Sequence, residues 1–343
     1  MNAATLMVKL AQLRGKPIPI STHPAPRDET DSRVLPGSTD GQISGSHSGL
    51  TSFRNVVYAN VAGLGGKPLA LRMDILVPEH SKPLPMVVFV PGGGFMVAPK
   101  IAGARSRRHV ARAGYVVASI EYRTVRHGAT YVDGVSDVKA AIRFLRANAA
   151  RFGIDPAKAA LWGESAGGYL AAMAAVTTGD ARFDRGEFLT ESSAVQAVID
   201  KFGGSDLSQI AAGFDAATAA ANSGPATSFA KYVFGPEGLL DFADDPAALV
   251  AADPASHLGP HVPPFLLFHG ADDRIISPVQ TAHLHRALLA AGVPSERYVI
   301  EGAGHGDLAV KGGEEKLWTT EAVMRLMIDF LDGTLTSSAA SAR

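Results

Sequence analysis

Ser165 stands at the centre of Gly163-Glu164-Ser165-Ala166-Gly167, and Gly168 extends the run of small residues. A serine hydroxyl becomes a useful nucleophile when the backbone thrusts it outward and a base removes its proton. A G-x-S-x-G run meets the first need. At a sharp strand-to-helix turn the serine backbone is strained, and side chains at the flanking positions would clash across the turn. The same turn aims a helix N-terminus at negative charge developing on a carbonyl oxygen. The pattern carries weight here because an apolar strand, Ala159 to Trp162, precedes it and a helical stretch follows.

Partners for such a serine occur in chain order. Met86 to Val90 runs into Pro91-Gly92-Gly93-Gly94-Phe95. Consecutive glycines after a buried strand let backbone N–H groups converge, so the amides of Gly93 and Gly94, with that of Ala166, are the expected oxyanion donors. A phosphate-cradling loop is disfavoured, because the next lysine, Lys100, is followed by Ile101 rather than by Ser or Thr. Eleven histidines compete for the role of base. His305, in Gly302-Ala303-Gly304-His305-Gly306, sits on a small-residue loop between the last strand and the closing helix, where an imidazole can reach over the sheet edge. His269 at a strand end reads as structural, and His283 and His285 as surface or packing residues of a helix. The acid should follow the penultimate core strand, where Asp272 and Asp273 stand together. A triad carboxylate must turn inward to bond the far ring nitrogen. We assign that position to Asp273, leaving Asp272 to face solvent or cap the turn. Phe95, Met96 and Val97 read either as an apolar wall for a substrate or as part of the core.

These groups are far apart in sequence, so a fold must bring them together. Residues 54–59 and 69–77 read as an antiparallel pair of strands, with Leu69, Leu71, Met73, Ile75 and Val77 on one face. From Met86 onward strands and helices alternate. Strands are expected at Met86 to Val90, Tyr115 to Ile120, Ala159 to Trp162, Val195 to Asp200, Pro264 to Phe268 and Arg297 to Ile300. Helices are expected near 100–113, 135–152, 279–291 and 315–331. Such alternation predicts an α/β fold, a mostly parallel sheet with helices on both faces. Residues 205–260 interrupt the rhythm and read as a cap or lid insert. The expected organisation is an N-terminal helix and irregular flap over 1–52, a core over 53–204 and 261–332, the insert over 205–260, and a flexible tail over 333–343. The 17–50 and 205–260 segments are expected to shape the pocket.

Composition narrows the function. Lys and Arg number 32 against 33 Asp and Glu, which gives no electrostatic reason to expect nucleic acid or an anionic membrane surface. Arg105, Arg107 and Arg108 at helical spacing read as a solvated face. The absence of cysteine excludes disulfides, a thiol nucleophile and thiolate metal sites. It also fits a reducing compartment. No run of about 18 apolar residues is present, so no stable membrane insertion is expected. Met1 to Lys16 lacks a signal-peptide pattern and reads as a short helix, which makes the expected location cytoplasmic.

Pro91 to Phe95, Glu121-Tyr122-Arg123, Gly163 to Gly167, His269 to Asp273 and Gly302 to Gly306 together resemble the α/β-hydrolase superfamily. The nearest part is its esterase and lipase group, which includes hormone-sensitive-lipase-like enzymes and related feruloyl and acetyl-ester hydrolases. The resemblance spans residues 53–332. It implies an α/β-hydrolase sheet and a serine carboxylesterase that acts on small to medium esters through an acyl-enzyme, with Ser165, His305 and Asp273 as its triad. It implies no metal or organic cofactor and a small-molecule ester as partner. Similar enzymes are commonly homodimers. One departure is Pro91, where the family usually has histidine before its glycines. Proline restricts the backbone and removes a donor. Two alternatives share the fold: an amidase or peptidase using the same triad, and a non-catalytic ligand-binding member, against which the presence of all three triad residues speaks.

Overall fold

The computed structural model describes residues 19–237 and 240–336. The helix expected over 1–16 and residues 337–343 of the expected tail lie outside them. The chain opens with β1 (Arg33–Leu35), β2 (Leu50–Ala62), β3 (Pro68–Pro78), β4 (Leu84–Val90), α1 (Ala104–Arg112) and β5 (Val116–Ile120). Next come α2 (Tyr131–Ala147), a further turn α3 (Ala149–Phe152), β6 (Ile154–Glu164), α4 (Ala166–Val176) and β7 (Ala197–Lys201). Three short helices fill the insert, α5 (Ala216–Ser223), α6 (Ser228–Phe234) and α7 (Pro246–Ala251). The core resumes with β8 (Phe265–Gly270), α8 (Val279–Ala290), β9 (Ser295–Ile300) and α9 (Glu321–Leu331).

The strands form one sheet in the order β1-β9-β8-β7-β6-β4-β5-β3-β2, in which β3 alone runs antiparallel to its neighbours. Alternate side chains of the central strands face two apolar layers, as expected of a sheet covered on both sides. Met86, Val88 and Val90 pack with Val138 and Ile142 of α2, Leu170 of α4 and Leu284 of α8. Val87 and Phe89 pack with Val110 of α1 and Met324 and Met327 of α9. The outer strand β2 is interrupted. Its register with β3 shifts between Phe53 and Val56 and again between Val57 and Ala59.

The segment before β2 corrects the sequence reading. Arg33–Leu35 pairs in parallel with β9, Val34 opposite Val299, and closes the far edge of the sheet. Three residues are too few for periodicity to reveal. The rest of 19–47 has few ladder partners, so its carbonyls need other donors. Arg105 Nε reaches Ile43 O and Arg108 Nε reaches Gly45 O, each at 2.8 Å. Arg297 Nη1 reaches Asp28 O at 2.9 Å, and His285 Nε2 lies 2.8 Å from Asp31 O. The expected solvated arginine face is therefore a clamp, and Arg107 within it is buried, donating to Ala102 O. Residues 332–336 likewise depart from the expected tail, forming a π-helical turn that buries Leu335.

Helix α2 shows how tightly the insert meets the core. Thr130 and Asp133 cap its start reciprocally. Its buried cations Lys139, Arg143 and Arg146 donate to carbonyls at Thr177, Glu187 and Ala194, pinning the excursion between α4 and β7. Gly134 lies within α2 where Tyr232 of α6 crosses it, the Tyr232 hydroxyl bonded to Arg123 O at 3.1 Å. A Cβ at 134 would lie 1.8 Å from that hydroxyl. Helix propensity favours alanine over glycine by about 1 kcal/mol, but overpacking costs about 1–3 kcal/mol. Gly134→Ala should therefore destabilise the fold, and thermal unfolding will show a lowered Tm rather than the gain propensity alone implies.

Candidate active site

Chain order sends β5 to one side of β4 and β6 to the other, so a crevice opens at the carboxyl ends of adjacent β4 and β6. Val90 pairs with Gly163, so the glycine loop after β4 and the serine turn after β6 emerge side by side. Ser165 adopts φ 56° and ψ −124°, a strained conformation for a side chain-bearing residue, and its N–H is tied to Lys201 O at 2.9 Å. Gly167 lies so close to β4 that a Cβ would stand 2.0 Å from Val90 O.

Loops after β8 and β9 bring Asp273 and His305 to this turn. His305 Nε2 lies 2.8 Å from Ser165 Oγ, and its Nδ1 lies 2.6 Å from Asp273 Oδ2. In this arrangement Nδ1–H donates to the carboxylate and Nε2 accepts the serine proton. Asp273 is fully buried, which alone would raise its pKa. The charge of His305 and hydrogen bonds from His269 and His305 outweigh burial and hold it well below the usual carboxylate range. Asp272 turns outward to Lys311 Nζ at 2.5 Å. The edge of Phe202 packs on the His305 ring at 4.8 Å between centroids, and Phe202 itself holds a positive φ of 48°.

Among the described residues, the amides of Gly93, Gly94 and Ala166 have no hydrogen-bond acceptor, and all three residues border one cleft. Gly93 has φ 152°, and a Cβ there would stand 2.1 Å from Val97 O. With Pro91 in place of the usual histidine, the loop is held from the segment after β5. Tyr122 Oη donates to Pro91 O at 2.9 Å, Val125 N to Phe95 O at 3.0 Å, and Thr124 Oγ1 to Met96 O at 3.2 Å.

The cleft holds a cavity of about 140 Å³. Leu207, Ile210 and Phe229 of the 205–260 insert, with Ile275, Ile276 and Met96, form much of its wall. Phe95 also borders it but is 1% exposed. Its ring stacks on Tyr232 at 4.4 Å and meets Tyr169 edge-on, so it supports the wall from the core. No residue of 19–50 borders the cleft, contrary to the sequence expectation, because that segment is clamped along β9 and α1. One end of the cleft is polar. Burial, reinforced by the charge of Glu164, pushes Asp307 up to about 6, against the pull of Lys201. Lys201 pairs with Glu164 at 3.2 Å over the rings of Trp162, Phe202 and Trp318. No three His, Asp or Glu side chains converge as a metal site among the described residues.

Sequence reasoning singled out Ser165, Asp273 and His305, which lie together here with Gly93, Gly94, Ala166 and Met96 around the same cleft. It missed Phe202, Tyr122 and the contact of His269 with Asp273. For Tyr122 a signal existed, since Glu121-Tyr122-Arg123 directly follows a strand at the same sheet end. Phe202 carries none, because positive φ at phenylalanine has no sequence mark.

The BD-FAE family model matches residues 73–288. Among curated proteins, the probable isoprenylcysteine alpha-carbonyl methylesterase ICMEL2 of Arabidopsis thaliana is 31% identical over 77% of this chain and 60% of its own length. The chain thus spans little more than half the length of the curated relatives it matches. Among solved structures, a truncated carbohydrate esterase from gut microbiota superimposes with a TM-score of 0.72 at 25% identity, covering 87% of this chain and all of that one. The butyrate-bound form of a thermophilic esterase from the Planctomycetes species Thermogutta terrifontis gives a TM-score of 0.63 at 25% identity, over 85% of this chain and 97% of that one.

Beneath the serine turn lies a carboxyl group with little support. Asp200, at the end of β7, accepts one bond from Gly203 N at 2.9 Å, and a Cβ on Gly168 would stand 2.0 Å from it. Burial pushes its pKa to about 8, opposed only by that backbone bond. The folded chain therefore keeps a proton that the unfolded chain releases from about pH 4, so this contribution to stability is full below that pH and lost as pH rises through about 8. Asp307 is raised less and finishes titrating by about pH 7. Calorimetry from pH 5 to 9 should show Tm falling as pH rises to about 8 and levelling above it. Asp200→Asn, which has the shape of the protonated acid, should flatten that fall and unfold at a higher temperature than wild type at pH 9.

Proposed function

The chain belongs to the BD-FAE family of α/β-hydrolase esterases, and from that premise we propose that it is a serine carboxylesterase acting on short carboxylic esters. The observation that carries this reading is the continuous line from Asp273 through His305 to Ser165 Oγ, opening on a mostly apolar cleft. In the proposed reaction Ser165 Oγ attacks the ester carbonyl carbon while its proton passes to His305 Nε2. Asp273 fixes the ring and stabilises its charged form. The amides of Gly93, Gly94 and Ala166 receive the oxyanion, each such donor being worth about 2.7–4 kcal/mol in a dry site. Collapse breaks the bond to the alcohol oxygen, which leaves with the proton from His305. Water then attacks the acyl-enzyme with His305 again as base, and Ser165 is regenerated.

Chain-length preference follows from the cleft. A cavity of about 140 Å³ walled by Leu207, Ile210 and Phe229 suits a short acyl group, and the similar Thermogutta esterase binds butyrate. The 205–260 insert acts as the cap that sets this limit. Its Ile210 O and Ala212 O are tied to Ser277 on the acid loop at 3.0 and 2.6 Å. Among the described residues no helix is long and apolar enough to cross a membrane.

Hydrolysis of p-nitrophenyl esters from acetate to palmitate, wild type beside Ser165→Ala, tests the reading. Rates should be greatest between acetate and butyrate, fall at longer chains, and drop at least about 10⁴-fold in the variant. Substantial activity remaining in Ser165→Ala would reject Ser165 as nucleophile. Faster cleavage of a matched anilide than of the ester would move the assignment to an amidase.

A further inference from the structure

Asp273 is held by more groups than the proposed reaction calls for. Its Oδ1 accepts from Ile275 N at 2.8 Å and Ile276 N at 3.0 Å. Its Oδ2 accepts from His305 Nδ1 and also lies 3.3 Å from Nε2 of a second histidine, His269, which is fully buried at the end of β8. That nitrogen is shared with Ile276 O at 3.1 Å.

The neighbours of His269 decide which of its nitrogens carries hydrogen. Arg297, buried on β9, can only donate, and its Nε lies 3.0 Å from Thr281 Oγ1. Thr281 Oγ1 therefore accepts from Arg297 and has one proton to give. The better acceptor is His269 Nδ1 at 2.9 Å, since the alternative, Pro278 O, is at 3.4 Å. With Nδ1 accepting, the hydrogen of a neutral His269 sits on Nε2, between Ile276 O and Asp273 Oδ2. Burial lowers the pKa of His269 and favours that neutral form.

We propose that His269 is a positioning residue for the triad, its tautomer set by Arg297 through Thr281 so that its Nε2–H fixes the outer face of the Asp273 carboxylate. The inference rests on the reaction proposed above for Ser165, His305 and Asp273. With Nε2–H bonded to Ile276 O and set 3.3 Å from Oδ2, His269 opposes a swing of the carboxylate away from His305 and holds the same loop where Ile276 borders the cleft. Arg297 also grips Pro278 O and Asp28 O, so the far end of the chain is itself rigid.

Gln and Met have similar size, and of the two Gln alone supplies an N–H near the position of Nε2. Steady-state kinetics on p-nitrophenyl butyrate should show His269→Met losing about tenfold to a hundredfold in kcat with little change in KM, the range expected for one hydrogen bond to a charged group. His269→Gln should stay within about threefold of wild type, because it restores the donor. Thr281→Val, which keeps the shape but removes the hydroxyl, should fall toward His269→Met, while Thr281→Ser stays with wild type. Equal kcat in the Gln and Met variants, or a loss confined to KM, would overturn the proposal and leave His269 as packing. If His269→Met does not fold, the Thr281 pair decides alone, and equal rates for Val and Ser then overturn it. Failure of the underlying reaction would show separately, as activity surviving in Ser165→Ala.

Discussion

The close approach of α4 to the ends of β4 and β6 is the constraint on which the site depends. Gly163 and Gly167 face each other across the Ser165 turn with no room for a Cβ on either, and Gly168 rests on Asp200. This crowding forces Ser165 to positive φ and turns its hydroxyl away from the sheet. The strain persists because the turn is determined from several sides at once. Lys201 O holds the Ser165 amide, and Ser165 O caps α4 by accepting from Gly168 N and Tyr169 N. Relaxing any of these contacts would let Oγ drift from His305, and reacting groups misplaced by about 1 Å lose much of their rate.

Two buried carboxyl groups near this turn have opposite fates, and the number of donors around each explains why. Asp273 has N–H groups on both oxygens and stays ionised despite complete burial. Asp200 has a single backbone donor, and its pKa rises. Burial by itself penalises a carboxylate, so the fold keeps Asp273 charged by surrounding it with donors.

Much of this was legible in the sequence. The apolar runs of β4 to β9 and the glycines around Ser165 reflect local requirements, tight packing on both faces and a turn without Cβ, that leave a mark residue by residue. His305 and Asp273, which the structure sets beside Ser165, stood out by chain order and loop composition. What escaped was settled by tertiary contact. Arg105 and Arg108 read as surface charges until the carbonyls of Ile43 and Gly45 lay against them. Phe95 read equally as cleft wall or core, and φ 59° turns its ring into the aromatic cluster of Tyr169 and Tyr232, a choice no sequence pattern marks. His269 read as structural because its distance from Asp273 is set by a loop whose path the sequence does not show.

The interruptions in β2 bear on how the molecule meets its own copies. An open sheet has two rims of unpaired N–H and C=O groups, and a long straight rim is a template for another chain. On one side that rim is only the three residues of β1. On the other it is thirteen residues long, but two register shifts and Asn55 at φ 53° bend it, and Asn55 N is occupied by Asp74 Oδ1. A foreign strand laid along β2 would lose its pairing at each bulge. The irregularity of the outermost strand among the described residues thus works against a further strand pairing along β2.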